Sequence, residues 1–327
     1  MKAAYYESNG SAASVLKVGD VPKPAPGPGE VLVRVHSSGV NPSDVKTRAG
    51  LTRKMAFSRV IPHSDGAGVV DAVGAGVANS RMGQRVWLYN AQWGRPFGTA
   101  AEYVALPSEM AIVLPNNVSF ADAANLGIPA QTAHAAVFAN GPVVKRTLLV
   151  QGGAGAVGHY AVQLAKWGGA TVITTVSSDA KATHARTAGA DHVVNYRTEN
   201  VVERVRALTG GAGVDHIVEV EFGENLAADI ELLKPHGSIV VYGSAKVSEP
   251  AVPVPPLMLK CATVKYIIVY NLSVSQRETA IREIDHQLRN NHLRHSIARR
   301  YPLEEIVAAH EAQESQQLIG NIVIDIA

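Results

Sequence analysis

Glycines near the middle of the chain have the spacing of a nucleotide-binding turn. They follow the apolar run 148–150 and form the pattern G-x-G-x-x-G: Gly153, Gly155 and Gly158. In this pattern the glycines permit a tight turn, a close approach to a pyrophosphate, and close packing of helix on strand. A helix beginning near Ala156 and Val157 would also offer unpaired N–H groups to the phosphates. We therefore predict a dinucleotide site here, against the alternative that the turn serves packing alone.

The residues after the second strand of this region select between NAD and NADPH. An acidic side chain about twenty residues beyond the turn would bind the ribose 2′-hydroxyl of NAD. The predicted strand 171–176 is followed instead by Ser177 and Ser178, with Lys181 close behind. An uncharged donor beside a cation suits the 2′-phosphate of NADPH, which we predict as the cofactor. In the alternative, Asp179 selects NAD and Lys181 only decorates a solvated helix.

Strand-like and helix-like segments alternate over the second half of the chain. Apolar β-type runs precede or follow each helical segment, at 147–150, 171–176, 192–194, 215–220, 238–242 and 264–270. Such alternation requires right-handed crossovers and a parallel sheet that binds ligands at the carboxyl ends of its strands. After the last run, we expect Ser275 to cap a helix, with Glu278 completing a capping box.

The first part of the chain is rich in short strands and glycine-containing turns. Its segments around 31–36 and 69–73 predict a small, partly open barrel, and the alternating segment 319–326 could return to it as a strand. We therefore predict an α/β protein with a doubly wound parallel sheet and a β-barrel domain. The predicted domains are 1–126, 127–265 and 266–327, the last returning to the first domain, and the run 264–270 could be an edge strand of the parallel sheet.

Composition excludes several classes of protein. The 327 residues carry a net charge of +2, which argues against nucleic acid or membrane as the main partner. The single cysteine, Cys261, excludes an internal disulfide framework and suits a reducing cytosol. We find neither a signal-peptide pattern nor an apolar run of membrane-spanning length, and so expect a cytoplasmic protein.

Several spaced motifs resemble those of the medium-chain dehydrogenase/reductase superfamily, over essentially the whole chain. They are similar to its quinone oxidoreductase, or zeta-crystallin, branch: residues 39–44 (GVNPSD), 64–68 (SDGAG), 127–129 (GIP) with Thr132, and 194–196 (VNY). This resemblance implies a Rossmann domain and a GroES-like domain. Zinc-dependent relatives have a cysteine ligand where this chain has Asn41 and a histidine ligand where it has Ser64, so we expect no catalytic metal. We expect the adjacent His63 to be a hydrogen-bonded or solvated side chain.

The resemblance also implies contacts with the cofactor. Asn41 resembles an amide that binds near the nicotinamide ribose, and Thr132 a neighbour of the nicotinamide. The remaining implied contacts are Ser177 and Lys181 at the 2′-phosphate, Tyr196 at the adenine end, Gly243 and Ser244 at the nicotinamide ribose, and Tyr270 and Asn271 at the carboxamide. The chain departs from many relatives at Asn321, where they have lysine or arginine, and at 219–222, where acids could tune the substrate pocket.

These observations together predict an NADPH-dependent, zinc-independent quinone oxidoreductase. The enzymatic alternative is an enone, alkenal or enoyl reductase, because quinones and α,β-unsaturated carbonyls both accept hydride without a Lewis acid. Resemblance to zeta-crystallin also permits a non-enzymatic protein that binds NADPH or RNA, supported only by the basic stretch 289–300. The run 264–270 could pair with its copy in another subunit, which predicts a homodimer.

Overall fold

Fifteen strands and eleven α-helices form the part of the chain that the structure, a computed structural model, describes: residues 1–52, 54–315 and 317–326. The strands are β1 (Lys2–Tyr5), β2 (Lys17–Asp20), β3 (Glu30–Val40), β4 (Asp65–Val73), β5 (Arg85–Leu88), β6 (Tyr103–Pro107), β7 (Ala111–Val113), β8 (Thr147–Val150), β9 (Thr171–Val176), β10 (His192–Asn195), β11 (Val214–Glu219), β12 (Leu233–Val241), β13 (Thr263–Tyr266), β14 (Ile297–Pro302) and β15 (Asn321–Asp325). The helices are α1 (Ala12–Val15), α2 (Pro42–Ala49), α3 (Phe120–Ala123), α4 (Gln131–Val137), α5 (Ala156–Trp167), α6 (Asp179–Thr187), α7 (Val201–Leu208), α8 (Phe222–Leu232), α9 (Val254–Leu259), α10 (Val274–Arg289) and α11 (Ile306–Ser315).

The chain divides into two compact units. The first comprises Met1–Ile128 and Glu283–Ala327, and the second comprises Pro129–Arg282. The sequence placed the return to the first domain at 265/266, whereas this division falls inside α10. The first half of α10 groups with the second unit because Arg277 is buried there, with hydrogen bonds to Gln131 and to the Val269 carbonyl. Because Gln131 lies 146 residues away from Arg277 in the sequence, the local sequence pattern could not predict this contact.

The second unit is built on a six-stranded sheet in the order β10-β9-β8-β11-β12-β13, and every pairing in it is parallel. The first strand, β8, lies beside β11, so the strand order reverses at this point, as in a Rossmann fold. Leu149, Ile173 and Ile217 are buried in its core, as expected for a parallel sheet that helices cover on both faces. The predicted doubly wound α/β fold is confirmed.

The first unit is built mainly on antiparallel pairings. Its larger sheet has the order β14-β15-β3-β4-β5-β7, with β6 also paired to β3. The alternating valines of β3, including Val31, Val33 and Val35, are buried in one of its cores. Strand β15 pairs antiparallel with β3 and parallel with β14, so residues 321–325 lie in the same sheet as β3. The sheet remains open in the described residues, consistent with a GroES-like domain.

Two local predictions around α10 are wrong. The run 264–270 is not one strand, because β13 ends at Tyr266 and a 3₁₀ helix follows at Val269–Asn271. The ladder stops there because the neighbouring strand β12 ends at Val241, whose carbonyl accepts the last hydrogen bond, from Ile267. The cap of α10 is Ser273 rather than Ser275: its hydroxyl accepts from the Gln276 N–H at 3.3 Å, and Gln276 Oε1 accepts from the Ser273 N–H at 3.0 Å.

Candidate functional site

The glycine turn joins β8 to α5, as the sequence predicts. Gly155 is the N-cap of α5, so Ala156, Val157 and Gly158 form the first turn of the helix, where backbone N–H groups have no intrahelical acceptor. A Cβ added to Gly158 would lie 2.2 Å from the Gly152 carbonyl oxygen. Only glycine therefore lets the helix approach the turn this closely. This cradle fits a dinucleotide pyrophosphate, which binds where a helix N-terminus supplies N–H groups and a positive dipole end.

Ser177, Ser178 and Lys181 lie together at the carboxyl end of β9. The Lys181 ammonium group donates to Ser177 Oγ at 3.1 Å, and Ser178 caps α6 by accepting from the Lys181 N–H at 3.3 Å. Asp179, the alternative selector, is the exposed first residue of α6. Tyr196 follows β10, is half-exposed, and its backbone N–H donates to the Val176 carbonyl at 3.0 Å, next to Ser177 in the chain. These residues form a polar, cationic corner that can hold an adenosine 2′-phosphate.

Gly243 and Ser244 follow β12 at the same edge of the sheet. The Gly243 carbonyl accepts from the Phe222 N–H at 3.1 Å, and Ser244 Oγ accepts from the Gly223 N–H at 2.9 Å. These bonds tie the turn after β12 to the start of α8. The Ser244 hydroxyl also donates to the Val247 carbonyl at 2.5 Å. This bond stabilises the start of the loop that follows β12.

Arg277 connects the two segments that the sequence assigns to the nicotinamide end. Its guanidinium donates to Gln131 Oε1 at 2.8 Å, next to the buried Thr132 of α4. It also donates to the Val269 carbonyl at 2.7 Å and to the Tyr270 carbonyl at 3.4 Å, in the 3₁₀ helix that contains Tyr270 and Asn271. One buried side chain therefore positions both predicted segments. Sequence reasoning missed Arg277, and no local signal marks it.

Asn41, in the first unit, is buried at the start of α2 and is held by acidic residues. Its Nδ2 donates to Asp65 Oδ2 at 2.9 Å, and its backbone N–H donates to Asp44 Oδ2 at 2.8 Å. Burial, and then the charge of Asp44, raise the pKa of Asp65 well above its usual range. The Ile128 N–H also donates to Asp65 Oδ2, at 3.0 Å. Asp65, for which we predicted no role, orients the Asn41 amide by accepting from its nitrogen.

The donors around Asn41 do not fit a zinc ion. The Asn41 amide nitrogen is turned to Asp65, and both ring nitrogens of His63 are engaged: Nδ1 with Ser38 Oγ at 2.8 Å and Nε2 with His310 Nε2 at 2.9 Å. Burial lowers the pKa of His63 to about 3, so this imidazole is neutral. The expectation that His63 is a hydrogen-bonded side chain is confirmed. Across the described ranges, no three His, Cys, Asp or Glu side chains cluster as metal ligands would.

Two residues at which the chain departs from many relatives, Asn321 and Glu219, make contacts within the fold. Asn321, the first residue of β15, is buried and donates from Nδ2 to the Ser296 carbonyl at 3.0 Å. The acids of 219–222 were expected to tune a substrate pocket, and of these the Glu219 side chain is fully buried and accepts from Asn225 Nδ2 at 3.0 Å. A cavity of about 430 Å³ lies elsewhere in the first unit, and its lining, which includes Phe57, Arg59 and Phe97, contains none of the predicted site residues.

Comparison with known proteins places the chain in a family. Residues 27–116 match the alcohol dehydrogenase GroES-like domain, and residues 156–286 match the zinc-binding dehydrogenase family. The helices that the structure describes include none with the length and apolarity needed to cross a membrane.

Individual relatives match the chain over most of their length. The chain is 31% identical to a 2-haloacrylate reductase of a Burkholderia species, over 92% of each chain. It is 30% identical to the quinone oxidoreductase of Sus scrofa, over 89% of this chain and 87% of the relative. The crystal structure of Escherichia coli quinone oxidoreductase complexed with NADPH matches it with a TM-score of 0.89 at 25% identity, over the whole of both chains. The chain is therefore an oxidoreductase of the medium-chain dehydrogenase/reductase superfamily and belongs to its quinone oxidoreductase branch.

Proposed function

We propose that the protein is an NADPH-dependent reductase that transfers hydride to a quinone without a metal ion. The observation that carries the cofactor is the Lys181 ammonium group beside Ser177 Oγ at the end of β9, 3.1 Å apart. A 2′-phosphate placed there gains a charge-assisted hydrogen bond, whereas the free 2′-hydroxyl of NADH gains far less. The Escherichia coli and Mycobacterium relatives whose structures hold NADPH support the same choice.

Residues of the second unit would hold the two ends of the cofactor. The first turn of α5 would bind the pyrophosphate, and Ser177, Lys181 and Tyr196 the adenosine end. The nicotinamide end would be in contact with Thr132, Gly243, Ser244, Tyr270 and Asn271. Asn41 is proposed to bind near the nicotinamide ribose on resemblance alone. When bound, NADPH supplies the hydride, and the chain supplies orientation and a preorganised polar environment.

The proposed reaction converts a quinone, NADPH and one proton into a hydroquinone and NADP⁺. The hydride adds to the electron-poor quinone, and the proton from solvent neutralises the oxygen on which the negative charge develops. The similarity to a 2-haloacrylate reductase favours a second candidate acceptor, an α,β-unsaturated acid or carbonyl. There the hydride adds to the β carbon and the proton to the α carbon. Both acceptors are small molecules, and we propose that the protein meets them in the cytoplasm.

Anaerobic oxidation of NADPH and NADH, measured against a panel of quinones and enones, tests this proposal. We expect kcat/KM for NADPH to exceed that for NADH by about tenfold or more, the value of one charge-assisted contact. A chelator should leave both rates unchanged. A preference for NADH, or activity that chelation removes, would contradict the cofactor or the metal-free assignment respectively. The ranking of ortho-quinones against 2-alkenals by kcat/KM decides between the two acceptors.

A further inference from the structure

Two acidic side chains are buried together in the second unit. Glu219 ends β11 and Asp229 lies on α8, and both are fully buried. The two carboxyl groups lie close enough for each to shift the pKa of the other. Burial raises the pKa of both groups, and the charge of Glu219 raises that of Asp229 further. Since two like charges in contact in a buried site repel strongly, the pair retains one proton.

A line of side chains connects this acid pair to the glycine turn. Gln151 Nε2 donates to Asp229 Oδ1 at 3.1 Å, and Gln151 Oε1 accepts from Thr175 Oγ1 at 2.7 Å. Thr175 Oγ1 in turn accepts from the Gly152 N–H at 3.1 Å. The side chains of Gln151 and Thr175 are both buried. The line therefore ends on the backbone of the turn itself.

Gly152 is the residue on which the shape of this turn depends. Its φ of +70° lies in the left-handed region that favours glycine. Its N–H is held by Thr175, and its carbonyl accepts from the Gly155 N–H at 2.9 Å. Gly155 is the N-cap of α5, so the orientation of the Gly152 peptide fixes where the first N–H groups of that helix point.

The hydrogen bonds of this line leave a place for one proton on the pair. Gln151 must present its nitrogen to Asp229 because its oxygen accepts from Thr175. Glu219 is occupied as an acceptor, from Asn225 Nδ2 and from the Glu221 N–H. Asp229 Oδ2 is buried and has no N–H donor. A proton on Asp229 Oδ2 that is donated to Glu219 satisfies every group.

We propose that Glu219 and Asp229 share one proton and act, through Gln151 and Thr175, as positioning residues for Gly152 and hence for binding of the NADPH pyrophosphate. This inference rests on the proposed cofactor. Loss of the proton leaves two facing carboxylates, which separate and release Gln151. The turn then loses its support and a second negative charge accumulates near a site for phosphates, so NADPH binds more weakly.

The direction of the pH effect follows from linkage. Asp229 has a raised pKa in the folded state, so its contribution to stability is present below its unfolded pKa and is lost as the pH rises through the folded value. The neighbouring groups are Gln151 and Thr175 from the ends of β8 and β9, Asn225 and Glu221 around the start of α8, and Tyr242 after β12. Tyr242 is neutral throughout, because burial and then the charge of Glu219 raise its pKa.

The test is the dissociation constant of NADPH from about pH 5 to about pH 10, measured by fluorescence with freshly mixed cofactor. Above the titration of the pair, the wild-type constant should rise by up to about tenfold per pH unit. Asp229→Asn keeps an oxygen for Gln151 and supplies an N–H to Glu219 without a proton that can be lost. It should bind NADPH within about threefold of the wild-type protein at low pH and show no loss of affinity as pH rises, apart from the titration of the ligand 2′-phosphate that all variants share.

Glu231→Gln is the matched control, since Glu231 lies on the same helix but in an exposed ion pair with Arg206. It should follow the wild-type curve, including the titration of the 2′-phosphate of the ligand, with a pKa near 6. An Asp229→Asn curve that parallels the wild type, or binding more than tenfold weaker at low pH, overturns the positioning role. Failure of the wild-type protein to bind NADPH at any pH overturns the proposed cofactor instead. Thermal unfolding across the same pH range should then still show the wild type, but not Asp229→Asn, losing stability as pH rises.

Discussion

The Lys181 ammonium group and Ser177 Oγ form a hydrogen-bonded pair at the predicted adenosine end of the candidate site. Their contact at 3.1 Å brings a positive charge to the end of β9, where an acidic side chain would select NAD. The lysine reaches this point because Ser178 caps α6 and so fixes the direction of the first helical turn. The proposed choice of NADPH therefore depends on one side chain whose backbone is held in place by its neighbour.

Replacing Lys181 by Met should weaken binding of NADPH and leave binding of NADH unchanged. The methionine retains most of the apolar stem but removes the charge, so we expect KM for NADPH to rise about tenfold, the value of one charge-assisted hydrogen bond at a half-exposed position. Steady-state kinetics with both cofactors measure this. Arg206→Met, on an exposed face of α7, is the control and should change neither KM. An equal loss for NADPH and NADH would remove Lys181 from the phosphate site.

At this scale the sequence predicted which candidate residues follow each strand, but not which contacts hold them. Ser177 and Lys181 were predictable because both follow one strand at fixed offsets. The partners of His63 were not predictable, since His310 lies 247 residues further along the chain. The role of Asp65 was missed for the same reason: its contact with Asn41 spans 24 residues and two elements.

Helix α10 acts as a clamp within the second unit, through Arg277. The guanidinium donates hydrogen bonds to Gln131 Oε1 and to the Val269 carbonyl. Both acceptors lie beside residues that we predict at the nicotinamide end of the cofactor. A buried guanidinium is stable only when its donors are paired, so the helix, α4 and the 3₁₀ helix Val269–Asn271 must be formed together.

Arg277→Met should lower the free energy of unfolding by about 3 kcal/mol, because Gln131 and a backbone carbonyl lose a charged donor in a buried environment. Chemical denaturation of the full chain measures this. Arg282→Met lies on the same helix and removes only an exposed contact with Thr279, so it should change stability by less than about 0.5 kcal/mol. Equal effects of the two substitutions would contradict the clamp.

Among elements, the alternating strands and helices of the second unit were predictable because each carries its own periodic pattern. The ends of elements near α10 were not. The apolar letters of 264–270 continue beyond Tyr266, but a strand can extend only as far as its partner, and β12 stops at Val241. Ser275 and Ser273 are equivalent by sequence, and only the structure shows that Gln276 bonds to Ser273.

At the scale of the whole molecule, the edge of the parallel sheet in the second unit carries exposed apolar side chains. Strand β13 is the terminal strand, and no other strand in the described residues pairs with its outer edge. Tyr266 is 64% exposed, and Met258 and Leu259 of the preceding helix are 70% and 86% exposed. An unpaired apolar edge of this kind is a ready template for a second strand. We propose that a second copy of the chain covers it, giving a homodimer with an isologous interface.

Sedimentation velocity at micromolar concentration should therefore show a dimer. Tyr266→Lys places a charge in the middle of the proposed interface and should shift the distribution to monomers. Leu51→Lys alters an equally exposed apolar side chain in the first unit and should leave the dimer intact. A wild-type protein that sediments as a monomer, or a dimer that both substitutions leave unchanged, would contradict this assignment.

The position of β15 has a consequence for synthesis of the protein. This strand, near the carboxyl end, inserts between β14 and β3, and its partner β3 is among the first strands to leave the ribosome. The second unit has all its strands within a continuous segment and can complete its sheet while translation continues. The amino-terminal unit must wait, with Val40 and Gly39 of β3 unpaired on that side, until residues 321–325 emerge. The pairing of β3 with β15 is thus completed only after the second unit has been synthesised, and deleting residues 321–325 would leave β3 without this partner.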